Sequence, residues 1–138
     1  MTAVRTLPEG DLMNDAPNHG ALWRQTFGRW GEDLAARRLQ DAGLVLLDRN
    51  WHCREGELDL VLSEGARVVF CEVKTRSGTE YGSPAESVTQ EKIDRVHRAA
   101  MRWLREHHVG WCRVRYDVVT VYAPRGEDPV VQHIRGAF

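Results

Sequence analysis

The chain is poor in paired cysteines, in long apolar runs and in excess charge of one sign. Its three cysteines, Cys53, Cys71 and Cys112, are widely spaced and none lies in a CxxC pair, so neither a disulfide framework nor a zinc knuckle is indicated and a reducing cytoplasm fits best. No apolar run approaches 18 residues, so we expect no membrane span. The net charge of −1 excludes a polycation that binds nucleic acid through its overall field, and any such contact must come from a local patch of basic residues.

The length of 138 residues suits one domain with one core. Residues 1–20 are rich in Pro, Asp, Asn and Gly and contain no apolar block of the signal-peptide type. This composition predicts a disordered N-terminal segment, followed by a single domain over residues 21–138.

Hydrophobic periodicity predicts two helices and five strands. Trp23, Phe27, Trp30 and Leu34 recur at helical spacing. The predicted helices cover 21–42 and 87–108, and the predicted strands cover 44–47, 57–62, 67–74, 114–121 and 130–134. The resulting order, α-βββ-α-ββ, indicates an α/β fold with a mixed sheet flanked by helices. Asp117 interrupts the apolar face of its strand and is expected to pair with a buried arginine.

Lysine is scarce: of 19 basic side chains only Lys74 and Lys92 are lysine. Arginine is a planar cation that stays protonated, whereas lysine is a compact ammonium that can direct one donor at a point. Lys74 stands two residues after Glu72 in a predicted strand, so the two side chains project from the same face. This pair suggests chemistry that arginine could not perform, although an ordinary ion pair at the end of a strand is the alternative.

Acidic side chains accompany this lysine. Asp59 lies on the preceding strand, which a short turn joins to the strand of Glu72, so the two carboxylates are expected to meet across an antiparallel pair. Facing carboxylates repel unless a cation lies between them, and oxygen ligands suit Mg²⁺ or Mn²⁺. Asp59, Glu72 and the carbonyl of Val73 are therefore the predicted metal ligands. Asp59 could instead pair with an arginine, and Glu32, on the first helix, could be an exposed helix acid.

Several segments together resemble the YraN-type family of small bacterial proteins, over about residue 22 to the C-terminus. The segments that carry the resemblance are Phe27-Gly28-x-x-Gly31-Glu32-x-x-Ala35, Arg49-Asn50-Trp51, Gly56-Glu57-Leu58-Asp59-Leu60-Val61, Val69-Phe70-Cys71-Glu72-Val73-Lys74-Thr75-Arg76, Gly82-Ser83-Pro84, Lys92-Ile93, Arg115-Tyr116-Asp117-Val118-Val119 and His133-Ile134-Arg135-Gly136-Ala137-Phe138.

The resemblance implies membership of the restriction-endonuclease-like PD-(D/E)xK superfamily, with Holliday-junction resolvases as its nearest likeness. It implies a Mg²⁺-dependent phosphodiester hydrolase in which Glu32, Asp59, Glu72 and Lys74 are the catalytic residues. Leu58 stands where the superfamily name has proline. Because resolvases act as two-fold dimers on four-way junctions, a homodimer that binds structured or branched DNA is expected by analogy.

Three further residues are candidates for binding nucleic acid. Arg76 follows the motif strand, and Gln90 and Lys92 begin the helix after it, where a polar side chain in related nucleases contacts the site or a phosphate. The alternative for the helical pair is a solvated helix face. Two other functions stay open: a catalytically silent module that binds nucleic acid or mediates assembly, and a protein-interaction domain.

Overall fold

The computed structural model of the chain describes residues 19–78 and 89–138. Within these residues the chain forms two helices and five strands. The elements are α1 (His19–Asp41), β1 (Val45–His52), β2 (Glu57–Glu64), β3 (Arg67–Arg76), α2 (Gln90–Glu106), β4 (Arg113–Tyr122) and β5 (Val130–Ile134). This order confirms the predicted α-βββ-α-ββ arrangement. The predicted disorder of residues 1–20 falls mostly outside the described residues and stays a prediction.

One mixed sheet contains all five strands in the order β1-β2-β3-β4-β5. β1, β2 and β3 are joined as antiparallel neighbours, β3 and β4 are parallel, and β5 returns antiparallel to β4. Parallel neighbours need a long crossover connection, and α2 lies in the connection between β3 and β4. The end of β3 that carries Glu72 and Lys74 is thereby placed close to the start of α2.

The helices cover opposite faces of the sheet. On one face the apolar stripe of α1, including Phe27, Trp30 and Leu34, packs on Leu60 and Val69 of the central strands. On the other face Val96, Ala99 and Trp103 of α2 pack on Val61 and Phe70. Successive residues of a strand alternate between the two faces, so Val69 and Phe70 belong to different cores. The molecule is thus a three-layer α/β/α structure.

Two local features differ from the expected pattern. Helix α2, predicted to begin at residue 87, begins at Gln90 with Thr89 as its N-cap, whose hydroxyl accepts a hydrogen bond from the N–H of Lys92 at 3.2 Å; residues 87 and 88 lie outside the described residues. Strict alternation in β2 would place Leu58 with Leu60, yet Leu58 packs in the α2 core. Asn50 lies in the neighbouring strand with φ 49°, a left-handed conformation that interrupts regular pleating next to this point.

No helix among residues 19–78 and 89–138 is long and apolar enough to cross a membrane.

Candidate active site

The hairpin of β2 and β3 positions Asp59 beside the end of β3. Leu60 of β2 pairs with Cys71 of β3, so Asp59 and Glu72 are the next residue on each strand. The carboxylate of Asp59 accepts a hydrogen bond from the N–H of Val73 at 2.9 Å. This bond fixes the aspartate against β3, because the strand sets the direction of a backbone N–H, whereas a side-chain donor can rotate. The predicted meeting of Asp59 with the Glu72 segment is therefore seen in the structure.

Glu72 and Lys74 project together, as their spacing predicts. The Lys74 Nζ lies 3.7 Å from the Glu72 Oε2, and each side chain is 20% exposed. Both line a cleft between the hairpin and the first turns of α2. The pair is thus withdrawn from bulk water but still accessible from the cleft.

Burial makes the charged forms of these carboxyls costly. It is the main cause that raises the pKa of Glu72 to about 7, and repulsion from Asp59 adds to it, while Lys74 and Lys92 act in the opposite direction. Burial also raises the pKa of Asp59, although the N–H of Val73 and the charge of Lys74 partly offset the effect. Two carboxyls that resist ionisation side by side form a site that a cation would stabilise.

Glu32 approaches Asp59 from α1. Its half-buried carboxyl has a raised pKa, first because of burial and second because of the charge of Asp59. A hydrogen bond with the side chain of Asn50 and the charge of Arg49 lower the pKa and only partly offset this. Asp59 therefore interacts electrostatically with Glu32 and with Glu72, and is the residue that links the predicted acids.

A close approach of α1 to β3 sets the position of Glu32. Gly31 is buried against Thr75, and a Cβ at this position would lie 2.8 Å from the Cγ2 of Thr75. That separation is too short for real atoms, so only glycine allows the helix to lie at this distance. The residue that follows it, Glu32, is thereby brought to the sheet edge.

The cleft has a volume of about 250 Å³. Glu72 and Lys74 lie on its hairpin wall, Lys92 and Arg95 lie on its helical wall, and the ring of Phe138 forms part of its lining. Within the described residues, neither Lys92 nor Arg95 makes a hydrogen bond or ion pair through its side chain. The cleft thus combines acidic groups at its edge with two cations that remain available to an anion.

The three predicted nucleic-acid contacts are placed differently. Lys92 lines the cleft. Gln90 instead donates a hydrogen bond from its side chain to Asp94, one helical turn on, at 2.9 Å, and it is not among the residues that line the cleft. Arg76 ends β3, where its carbonyl accepts a hydrogen bond from the N–H of Ala123 at 2.7 Å. Of the three, Lys92 is the one that lines the cleft with Glu72 and Lys74.

The donor set suits a hard cation that keeps water ligands. Within residues 19–78 and 89–138, no three His, Cys, Asp or Glu side chains are grouped closely enough to hold a metal by themselves. Asp59 and Glu72 supply two carboxylates, and the predicted third ligand is the backbone carbonyl of Val73. Mg²⁺ is commonly bound through one or two carboxylates, with waters and substrate phosphate completing its shell, so the residues present fit Mg²⁺ or Mn²⁺.

Two contributors to this site escaped prediction. Asn50 supports Glu32 from an edge strand, and Phe138 lines the cleft although 60 or more residues separate it from the motif strand. The only signal for Phe138 was its place in the closing segment that carries the family resemblance.

A second cavity, of about 430 Å³, lies between α1 and β1. Trp30, Asp33 and Arg49 line it, and Arg49 forms an ion pair with Asp33 at 2.6 Å. It is larger than the cleft, but none of the predicted catalytic side chains lines it. We therefore place the candidate site at the smaller cleft, which Glu72 and Lys74 line; Asp59, bonded to the N–H of Val73, and Glu32 lie near these residues but do not line the cleft.

Comparison with known proteins agrees with the resemblance noted in the sequence. The profile of the uncharacterised protein family UPF0102 matches residues 31–121, a range that includes Glu32, Asp59, Glu72 and Lys74. A UPF0102 protein of Frankia casuarinae is 56% identical over 115 residues, which is 83% of this chain and 98% of the relative. A UPF0102 protein of Rhodococcus opacus is 51% identical over 112 residues, 81% of this chain and 95% of the relative.

Proposed function

The chain belongs to the uncharacterised protein family UPF0102, the YraN-type family, and for this member we propose a Mg²⁺-dependent hydrolase of phosphodiester bonds in nucleic acid. Structured or branched DNA is the proposed substrate, by analogy with the Holliday-junction resolvases of the restriction-endonuclease-like superfamily. A homodimer remains part of the proposal for the same reason.

One observation carries the proposal. Two neighbouring carboxyls, Asp59 and Glu72, have raised pKa values, and Glu72 lines a cleft together with Lys74. Such perturbed groups cluster at functional sites more often than elsewhere. Structural ion pairs usually lower the pKa of a carboxyl. The pKa values of Asp59 and Glu72 are instead raised, which favours a cation-binding site over a purely structural ion pair.

Each residue has a proposed role. Asp59, Glu72 and the carbonyl of Val73 would hold Mg²⁺, which when bound polarises a phosphate and stabilises the charge that develops on it. Lys74, held beside Glu72, orients the attacking water or neutralises charge on the phosphate. Glu32 lies near Asp59 on the side of α1 and adds negative charge that a bound cation would offset. Lys92 contacts a phosphate of the substrate from the helical wall of the cleft.

A non-enzymatic alternative also has an observation in its favour. The described residues contain no group of three metal-ligating side chains, so the protein could be a catalytically silent module that binds nucleic acid or mediates assembly. Binding without cleavage under any divalent ion would favour this alternative.

The test is a cleavage assay with labelled junctions, flaps, duplexes and single strands in Mg²⁺ or Mn²⁺. We expect cleavage by the wild type and loss of at least 100-fold in rate, the scale of one positioned catalytic group, in Lys74→Ala and Asp59→Asn. Glu106→Gln is the matched control, because this exposed acid lies at the far end of α2 and pairs only with Arg102 nearby. Cleavage that persists unchanged in Lys74→Ala and Asp59→Asn would show a contaminating nuclease and refute the assignment.

Binding is measured separately, in the presence of a chelator. Each phosphate contact that is lost should reduce the dependence of log affinity on log salt by about 0.7 to 0.9. We expect this decrease for Lys92→Ala and not for Glu106→Gln. A wild-type protein that binds no nucleic acid at low salt would leave only the protein-interaction alternative.

A further inference from the structure

We infer that the ring of Phe138 is a stacking platform for one unpaired nucleobase, so that the cleft takes a nucleotide that is not base-paired. This inference rests on the proposed function, since it names the form of nucleic acid that the same cleft accepts.

The ring is presented to the cleft from a fixed support. Phe138 lies 5.7 Å from the ring of Tyr116 and 6.1 Å from that of His97, measured between centroids. The His97 and Phe138 rings are within 18° of parallel. Phe138 packs against the α2 cluster through these contacts and also lines the cleft. A half-buried aromatic ring held from behind offers a planar apolar surface at its open side.

A buried carboxylate anchors the segment that carries this ring. Asp117 is fully buried and accepts hydrogen bonds from the guanidinium of Arg115 at 2.8 and 2.9 Å. The same carboxylate accepts the N–H of Gly136 at 3.0 Å and lies 2.7 Å from the Nε2 of His133. Fully paired in this way, it fixes the chain two residues before Phe138.

A backbone bond completes the anchor. The N–H of Ala137 donates to the carbonyl of Tyr116 at 2.8 Å, next to the ring that supports Phe138. The segment after β5 is thus held at two successive residues, and the position of the ring in the cleft does not depend on packing alone.

The rest of the cleft matches the other parts of a nucleotide. Lys92 and Arg95 line the same cleft as Phe138, and neither side chain forms a hydrogen bond or ion pair within the described residues. A phosphate suits the cations and a base suits the ring, because base stacking on aromatic side chains is tolerant of sequence. The cleft volume of about 250 Å³ is small, below the roughly 300–1,000 Å³ of pockets for larger ligands.

In a duplex both faces of a base are stacked and unavailable. A ring in this position therefore favours single strands, flaps and junctions with unpaired nucleotides over fully paired DNA.

The experiment measures binding in a chelator, with a series of short single strands that each carry one abasic site at a successive position. For the wild type, we expect one position at which loss of the base weakens binding by roughly 5- to 150-fold, since one stacked base is worth about 1–3 kcal/mol. In Phe138→Ala that dependence should disappear, and the abasic and intact strands should bind alike. Phe138→Tyr should retain it.

Phe138→Leu guards against a trivial loss of structure, because leucine keeps apolar bulk but has no planar face. A folded Phe138→Leu that has lost the abasic effect supports stacking. Trp111→Ala is the matched control, since Trp111 is a 93% exposed aromatic just before β4 that does not line the cleft, and its loss should leave the abasic effect unchanged.

The outcomes separate this inference from the proposed function. A wild type that binds and cleaves nucleic acid but responds equally to every abasic position overturns the inference alone, as does an abasic effect that survives in Phe138→Leu and Phe138→Ala. A wild type that binds no nucleic acid overturns both.

Discussion

Glu72 should make the metal-free protein less stable as the pH rises, and Glu72→Gln should remove this effect. The pKa of the carboxyl is about 7 in the folded protein against an ordinary value of 4.5. The folded state therefore holds the proton over a range where the unfolded state has lost it. The stability that this protonated carboxyl contributes is fully present below pH 4.5 and decreases as the pH rises toward 7. The difference corresponds to about 3 kcal/mol at roughly 1.4 kcal/mol per pH unit.

The assay is urea unfolding in a chelator, from pH 4.5 to pH 8, for the wild type and for Glu72→Gln. The amide cannot ionise, so the free energy of unfolding of the variant should exceed that of the wild type increasingly with pH, by about 3 kcal/mol at pH 8. Glu106→Gln, an exposed control, should follow the wild type. Adding Mg²⁺ at pH 8 should stabilise the wild type more than Glu72→Gln. A difference between the two proteins that stays constant across this pH range would refute the raised pKa and the reasoning built on it.

Three further outcomes follow from the packing and can be measured by the same unfolding assay. Gly31→Ala should lower the free energy of unfolding by about 1–3 kcal/mol, because the new methyl group overlaps Thr75. Gly28→Ala is the control on the same helix: a Cβ there has nothing within 4 Å, so this change should be neutral or stabilising by up to about 1 kcal/mol. Equal effects of the two substitutions would contradict the close contact of Gly31 with Thr75. Asp117→Asn should cost about 3 kcal/mol, since it breaks a buried charged network, and a loss below about 1 kcal/mol would show that the network is dispensable. Thr89→Ala should cost about 1 kcal/mol and Thr89→Ser much less, because only the hydroxyl caps α2; equal losses would exclude this cap.

Much of the architecture could be predicted because burial imposes a period on the sequence. The helical spacing of Phe27, Trp30 and Leu34 predicted α1, and short apolar segments predicted the inner strands. The exception was β1, predicted as residues 44–47 and observed to continue to His52. It is an edge strand, and polar residues such as Arg49 are tolerated there, so the pattern fades before the strand ends.

The sequence predicted the parts of the candidate site that depend only on spacing within one strand or one hairpin. Glu72 and Lys74 share a face because two residues separate them, and Asp59 follows from a short hairpin. Gln90 shows the limit: its spacing to Asp94 permits a hydrogen bond within the helix, and this bond competes with any role at the cleft. Phe138 could not be placed at all from periodicity, because its position depends on the buried network around Asp117.

The order in which the chain is made bears on when the cleft exists. Strands β2 and β3 form a hairpin that closes a short loop, so the acids can be paired as soon as residue 76 is available. The helical wall of the cleft, with Lys92 and Arg95, can form only after α2 has been synthesised. The parallel pairing of β3 with β4 requires the whole crossover connection. Phe138, which completes the lining of the cleft, follows β5 in the chain. A nascent protein on the ribosome therefore carries these carboxylates before α2 and Phe138 are available, and the complete cleft is a property of the finished fold alone.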